Sequence, residues 1–303
     1  MTLARSLFFV IVALLVLVAV VSFLVVLSRS TQVESLSAQE VQEVPGVHEV
    51  PQVIWTYWDD DADMPGVVQF AIDSWRRCNP DWIINVLTPA TLGTYVDATA
   101  FRHVDSPQRL SDYLRLNILA EHGGVWSDAS VIMTRGLDWL LEYLAESQCT
   151  FFGYYLEGFT TDMRYPVLES WFFACTPGNP FVTHWRDAFM LLDTFDSIDE
   201  YITWVLLSTD ILKIDSPGYL TIHLAAQLAM QHRITDDIRE SMCYLKAEDG
   251  PYKYIVSQGW ESEAAMRNLC ARPDEAPPPL VKLRGSERGY VDEGMEALRC
   301  LRV

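Results

Sequence analysis

Ser111-Asp112-Tyr113-Leu114-Arg115-Leu116-Asn117-Ile118-Leu119-Ala120-Glu121-His122-Gly123-Gly124-Val125-Trp126-Ser127-Asp128-Ala129-Ser130 is the stretch on which the fold turns. Its first half has a helical pattern, apolar on most sides through Leu110, Tyr113, Leu114, Leu116, Ile118 and Leu119. Asp112 and Arg115 lie three apart, so they share one helical face. A charged pair in such a helix is costly to desolvate unless the two ions pair or bind something. A buried salt bridge and a ligand-binding pair both satisfy that condition. Gly123-Gly124 then turns the chain and permits close approach of backbone to a ligand. The strand pattern that follows sends Asp128 and Ser130 to the same side, because side chains two apart share a face. A carboxylate at a strand end beyond such a turn is placed to hold a divalent cation against a diphosphate.

Outward from this block, strand and helix patterns alternate. Gln52 to Trp58 and Trp82 to Leu87 read as strands rich in Val, Ile and aromatics. Pro65 to Arg77 has helical spacing between them through Val68, Ile72 and Trp75. The central helix runs from about Ser106 to His122. Ser106 suits the N-cap, Pro107 the first helical position and Gly123 the left-handed cap. Val125 to Met133 is expected as one strand and Leu137 to Ala145 as a helix. Phe151 to Leu156 and Glu169 to Cys175 are further strands, and Phe181 to Phe195 and Tyr219 to His232 further helices. Beyond Gly250 the pattern is weak, and Pro277-Pro278-Pro279 marks an extended segment or turn. The alternation implies a mostly parallel sheet with helices on both faces, whose ligands bind beyond the carboxyl ends of the strands.

The chain has 303 residues, half of them hydrophobic, which excludes disordered and fibrous classes. Its net charge of −19 argues against a nucleic-acid partner, and an anionic substrate needs a local cluster of donors. Leu7 to Leu27 is apolar except for Ser22, flanked by Arg5 and Arg29. As a helix it spans about 31 Å, the thickness of a bilayer's hydrocarbon core. It is longer than a signal-peptide core, so it reads as a retained anchor. The expected organisation is a short tail at 1–6, a transmembrane signal anchor at 7–27, a flexible stem at 28–50 and a globule at 51–303. A short tail before a large carboxy-terminal domain favours the type II arrangement: Golgi or ER lumen in a eukaryote, the cell envelope in a bacterium. The six Cys show no Cys-x-x-Cys spacing and allow 15 pairings. Cys175, in an apolar run, reads as a buried thiol.

The central block resembles the signature of the Asp-x-Asp-type nucleotide-sugar transferases, most closely the capsular polysaccharide synthesis protein family. Three further stretches agree in order and spacing: Val50 to Trp58, Ser74-Trp75 before Asn79-Pro80, and Glu169-Ser170-Trp171-Phe172 before Gly178-Asn179-Pro180. The resemblance implies a GT-A fold and transfer of a sugar from a nucleotide-diphosphate donor to a glycan, polysaccharide or other hydroxyl acceptor, with retention of configuration. It implies that Trp55 stacks on the donor base and that Asp112 and Arg115 hydrogen-bond the sugar or ribose, with Gly123 and Gly124 on the donor side. Asp128 is then the first acid of a motif for Mn2+ or Mg2+. The second acid is Ser130, a neutral and weaker ligand, which puts metal dependence in question.

A metal-poor site needs other cations near the leaving diphosphate. Pro279-Leu280-Val281-Lys282-Leu283 is similar to the family's pattern there, which nominates Lys282, although a lone lysine is more commonly a surface residue. Glu169, Trp171 and His223 are the acceptor-side candidates. Asp59-Asp60-Asp61 and Asp61-Ala62-Asp63 match Asp-x-Asp only as strings, and read as a solvated turn. The rival functions are a non-catalytic luminal sugar- or nucleotide-binding scaffold and a glycoside hydrolase. The latter lacks a convincing second acid.

Overall fold

The structure is a computed structural model that describes residues 49–60, 63–211, 213–270, 276–292, 298, 300 and 301. The chain divides into two units, Met1–Gln42 and Glu43–Val303, and the described residues all belong to the second. The expected anchor at 7–27 and all of the stem before Glu49 lie outside the described residues, as do Asp61 and Ala62 of the acidic loop. Among the described residues no helix is long and apolar enough to cross a membrane.

A six-stranded sheet forms the centre. Its strands are β1 (Val53–Tyr57), β2 (Ile83–Leu87), β3 (Gly124–Ser127), β5 (Phe151–Tyr155), β6 (Leu168–Cys175) and β7 (Met242–Lys246), in the order β2-β1-β3-β6-β5-β7. β1 pairs parallel with β2 and β3, and β5 parallel with β7. β6 runs antiparallel between β3 and β5, so parallel pairings predominate without being universal.

Successive side chains of a strand face opposite ways, and β6 shows both faces covered. Phe172 packs towards Phe152 and Tyr154, with ring centroids 6.3 and 6.0 Å away. Phe173 packs towards Trp185 at 5.2 Å. Trp185 belongs to α4 (Pro180–Met190), which packs between α2 (Pro107–His122) and α6 (Thr221–His232). The other core gathers α1 (Gly66–Cys78), α3 (Asp138–Ser147) and the C-terminal segments.

The central helix forms where its capping residues place it. Ser106 Oγ accepts from the Arg109 amide at 3.2 Å, Pro107 opens the first turn, and the Gly123 amide closes on Leu119 O at 3.0 Å. Gly123 has φ +62° and Gly124 φ +92°.

The span Val125 to Met133, expected as one strand, is two. β3 ends at Ser127, and after a turn the chain resumes as β4 (Val131–Met133) in a separate two-stranded sheet with β8 (Leu280–Lys282). The pairing is antiparallel and sets Val131 opposite Lys282. Asp128 and Ser130 therefore sit on the turn between two sheets. Four elements carried too little periodicity to be anticipated: α5 (Ile198–Leu206), α7 (Asp236–Glu240), β7 and β8. The same holds for the short helices α8 (Lys253–Val256), α9 (Ser262–Asn268) and α10 (Gly285–Asp292).

Candidate active site

A cavity of about 1020 Å³ opens where α2, the β3–β4 turn, the start of β6, the start of α6 and β8 meet. Asp112, Arg115, Asp128, Ser130, Glu169, Trp171, His223 and Lys282 all line it. Sequence separation hides this convergence, because Lys282 lies 154 residues from Asp128.

Arg115 is the hub. Its Nη2 lies 3.4 Å from Asp112 Oδ1 and 3.2 Å from Asp128 Oδ1. Nη1 donates to Ser170 O at 2.7 Å and to Ser170 Oγ at 2.8 Å, and Nε donates to Ser111 O at 3.2 Å. The guanidinium lies 5.2 Å from the centre of the Trp126 ring, within cation–π range. The helical pair is thus a buried i,i+3 ion pair, and both of its residues line the cavity.

Asp128 is gripped on both oxygens. Oδ1 accepts from Trp126 Nε1 at 3.1 Å, and Oδ2 from Lys282 Nζ at 2.9 Å. Lys282 Nζ also donates to Ser130 Oγ at 2.8 Å and sits 5.6 Å from the centre of the Trp171 ring. Lys282 is buried, so the surface alternative is replaced by a buried ion pair.

The two carboxyls are driven apart in acidity. Burial pushes Asp112 up, and the pull of Arg115, then Arg109 and His223, does not restore it. Burial also raises Asp128, but Lys282 and Arg115 outweigh that and hold it below the ordinary range. Burial lowers Lys282 against the pull of Asp128.

The residues present do not fit the implied divalent ion. Such an ion prefers about six oxygen ligands, and the motif offers one carboxylate and one neutral hydroxyl. Both are already hydrogen-bonded to the Lys282 ammonium. Among the described residues no group of three or more His, Cys, Asp and Glu is arranged for a metal.

Three donor-side candidates lie elsewhere. The Trp55 indole is buried, donates to Gly123 O at 3.1 Å and stacks on His122 at 5.8 Å, outside the cavity lining. Tyr57 and Trp58, two and three residues on, do line it. Gly123 and Gly124 are also outside the lining, and what approaches them is the protein's own backbone. A Cβ on Gly123 would meet Pro177 N at 2.5 Å, and one on Gly124 would meet Val53 O at 2.7 Å.

On the acceptor-side set, His223 Nε2 lies 3.6 Å from Glu169 Oε2, and His223 Nδ1 is buried without a hydrogen-bond partner. Sequence reasoning missed Arg109 and Arg288, both in the lining. Arg109 gives Nη2 to Gly218 O at 2.6 Å, while Nε and Nη1 are buried without a hydrogen-bond acceptor. The signal was available for Arg109, which lies three residues before Asp112 and six before Arg115, on one helical face. With Arg115, Lys282 and Arg284 these side chains collect five cations around one cavity of a strongly acidic protein.

The sequence pattern of the capsular polysaccharide synthesis protein family matches residues 26–206. The O-glycosyltransferase braB of Annulohypoxylon truncatum is 30% identical over 157 residues, covering 46% of this chain and 37% of braB. The glycosyltransferase afumC of Aspergillus fumigatus is 27% identical over 183 residues, covering 54% of this chain and 46% of afumC. The chain therefore spans less than half the length of either relative. Two solved structures are more loosely similar. The PaToxG glycosyltransferase has TM-score 0.32 at 14% identity, over 72% of this chain and 92% of its own. The galactosyltransferase LgtC, crystallised with donor and acceptor sugar analogues, has TM-score 0.38 at 13% identity, over 82% of this chain and 99% of its own. With the matched span covering well over half of its residues, this chain belongs to the capsular polysaccharide synthesis protein family.

Proposed function

We propose that this chain is a glycosyltransferase that moves a sugar from a nucleotide-diphosphate donor to a hydroxyl acceptor, with retention of configuration. The observation that carries this is the meeting of Asp112, Arg115, Asp128 and Lys282 in one cavity, among further cations able to receive a diphosphate. Asp112 and Arg115 hold the sugar or ribose hydroxyls. Lys282 faces the diphosphate. The aromatic surface for the base comes from Tyr57 and Trp58, since Trp55 is committed to His122 and Gly123. Glu169, Trp171 and His223 line the acceptor side, where a glycan or polysaccharide hydroxyl would enter.

The apolar run 7–27 anchors the enzyme as a single-pass type II membrane protein, placing the catalytic unit in the lumen or cell envelope. Two disulfides, Cys149–Cys243 and Cys270–Cys300, support an oxidising compartment.

The test is donor turnover by the full chain in Asp128→Ala and Arg115→Ala variants. Loss of transfer with melting still cooperative is expected, and normal turnover in both variants would remove the proposal. The non-catalytic scaffold is favoured by one feature, the serine at the second acid position. It predicts that donors bind the wild-type chain and are never turned over.

A further inference from the structure

We propose that Lys282 takes the place of the divalent cation, so that this site binds and activates its donor without a metal. The inference rests on the donor reading above and concerns the cation alone. An ammonium group has three N–H donors. Two of them go to Asp128 Oδ2 and Ser130 Oγ, the two side chains between which the motif would seat an ion. Lys282 lines the cavity, where the third would meet an entering anion.

Charge balance points the same way. A dication on two carboxylates is locally neutral. Here the second carboxylate is a serine hydroxyl and the cation is a monovalent ammonium, so the sum is again zero. A dication added to this arrangement would face Lys282 and, through the other oxygen of Asp128, Arg115 at 3.2 Å from that oxygen.

The lysine is also held in place. Its amide donates to Pro251 O at 3.2 Å, its carbonyl accepts from Tyr254 Oη at 2.9 Å, and β8 fixes it opposite Val131. Preorganised charge of this kind needs no rearrangement as the leaving group gains electrons. In the step it serves, the bond from the anomeric carbon to the diphosphate oxygen breaks and its electron pair stays on that oxygen beside Lys282. The acceptor oxygen bonds to the anomeric carbon, and the acceptor's proton passes to the departing phosphate oxygen.

Two measurements on the full wild-type chain decide the matter. Electron paramagnetic resonance of added Mn2+ is expected to show the ion free in the presence of protein. Calorimetric titration with UDP and GDP is expected to give the same affinity in EDTA as in Mn2+, within about threefold. Lys282→Ala should weaken nucleotide binding at least about tenfold. The double variant Ser130→Asp/Lys282→Ala should take up Mn2+ and bind nucleotide only in its presence. Mn2+ uptake by the wild type, or about tenfold loss of nucleotide affinity on chelation, overturns the inference and leaves the donor reading standing. Failure of both nucleotides to bind under every condition removes the donor reading, and this inference with it. The wild-type measurements hold even if a variant does not fold.

Discussion

Arg115 illustrates how much one side chain carries here. Its guanidinium bonds Ser111 and Ser170 while bridging Asp112 and Asp128, so the helix, β6 and the β3–β4 turn meet on one planar group. Lysine keeps the charge and loses the fork. Arg115→Lys is therefore expected to cost about 2 kcal/mol of stability and at least tenfold in donor affinity, roughly the worth of one or two charge-assisted hydrogen bonds. Denaturant melts and calorimetric titration check it. Gly123 makes the opposite kind of demand. At φ +62° with backbone atoms of Pro177 and Cys175 inside 3.0 Å of any Cβ, nothing nearby can give. Gly123→Ala is expected to destabilise by about 3 kcal/mol or more, read from the shift in denaturation midpoint. The sequence showed that Asp112, Arg115 and Asp128 belong together, because their spacing is local. It left Trp55 open between a donor contact and a core aromatic, since a first-strand aromatic looks alike whether it faces a ligand or a neighbouring histidine ring, and here the ring lies against His122.

The elements add a layer of explanation to the Ser74-Trp75 and Asn79 stretch. Ser74 Oγ accepts from the Met133 amide at 2.9 Å, and Trp75 Nε1 donates to Val131 O at 2.7 Å. Asn79 Oδ1 accepts from the Leu137 amide at 2.7 Å. Helix α1 thus satisfies one edge of β4 with side chains, while β8 satisfies the other with backbone. The short strand that follows Asp128 and Ser130 is in this way held on both sides. Ser74→Ala leaves a buried amide unpaired and is expected to cost about 1–3 kcal/mol, with nucleotide affinity reduced as the turn loosens; melts and titration together test it. Next to β8, Glu287 is buried, which pushes its pKa up, but hydrogen bonds from Arg284, Ser262 and Ser286 outweigh this and bring it down to about 2. Since the folded value lies below the ordinary one, its contribution is complete above about pH 4.5 and disappears as pH falls towards about 2. Glu287→Gln should flatten that part of the stability profile. The single-strand expectation across Val125 to Met133 failed because apolar periodicity continues through the turn. Only the pairing of β4 with a segment far along the chain separates the two strands.

Across the whole molecule, 22 basic residues stand against 41 acidic ones, yet around one cavity five basic side chains outnumber the four carboxylates of Asp59, Asp112, Asp128 and Glu169. An outwardly acidic protein can in this way hold an anionic ligand while repelling polyanions from its surface. The two disulfides act at this scale. Cys149–Cys243, separated by 94 residues, pins the start of β5 beside the start of β7, and Cys270–Cys300 closes a separation of 30. Their reduction is expected to cost about 2–5 kcal/mol each, seen as a lower melting temperature in reductant. Spacing alone could not choose this pairing, because disulfide partners are set by the finished topology. The alternation of strands and helices did disclose the layered architecture. It did not disclose the reversed direction of β6, which depends on how the chain crosses between β5 and α4.

Lys282 lies 154 residues downstream of the carboxylate it neutralises. On the ribosome, the acidic part of the socket is therefore made long before its clamp. Without β8 on β4, the remaining ionic partner of Asp128 in this arrangement is Arg115, and the cavity lacks the Lys282 ammonium. Ligand capture is in this way coupled to the synthesis of β8 by the order of the chain alone.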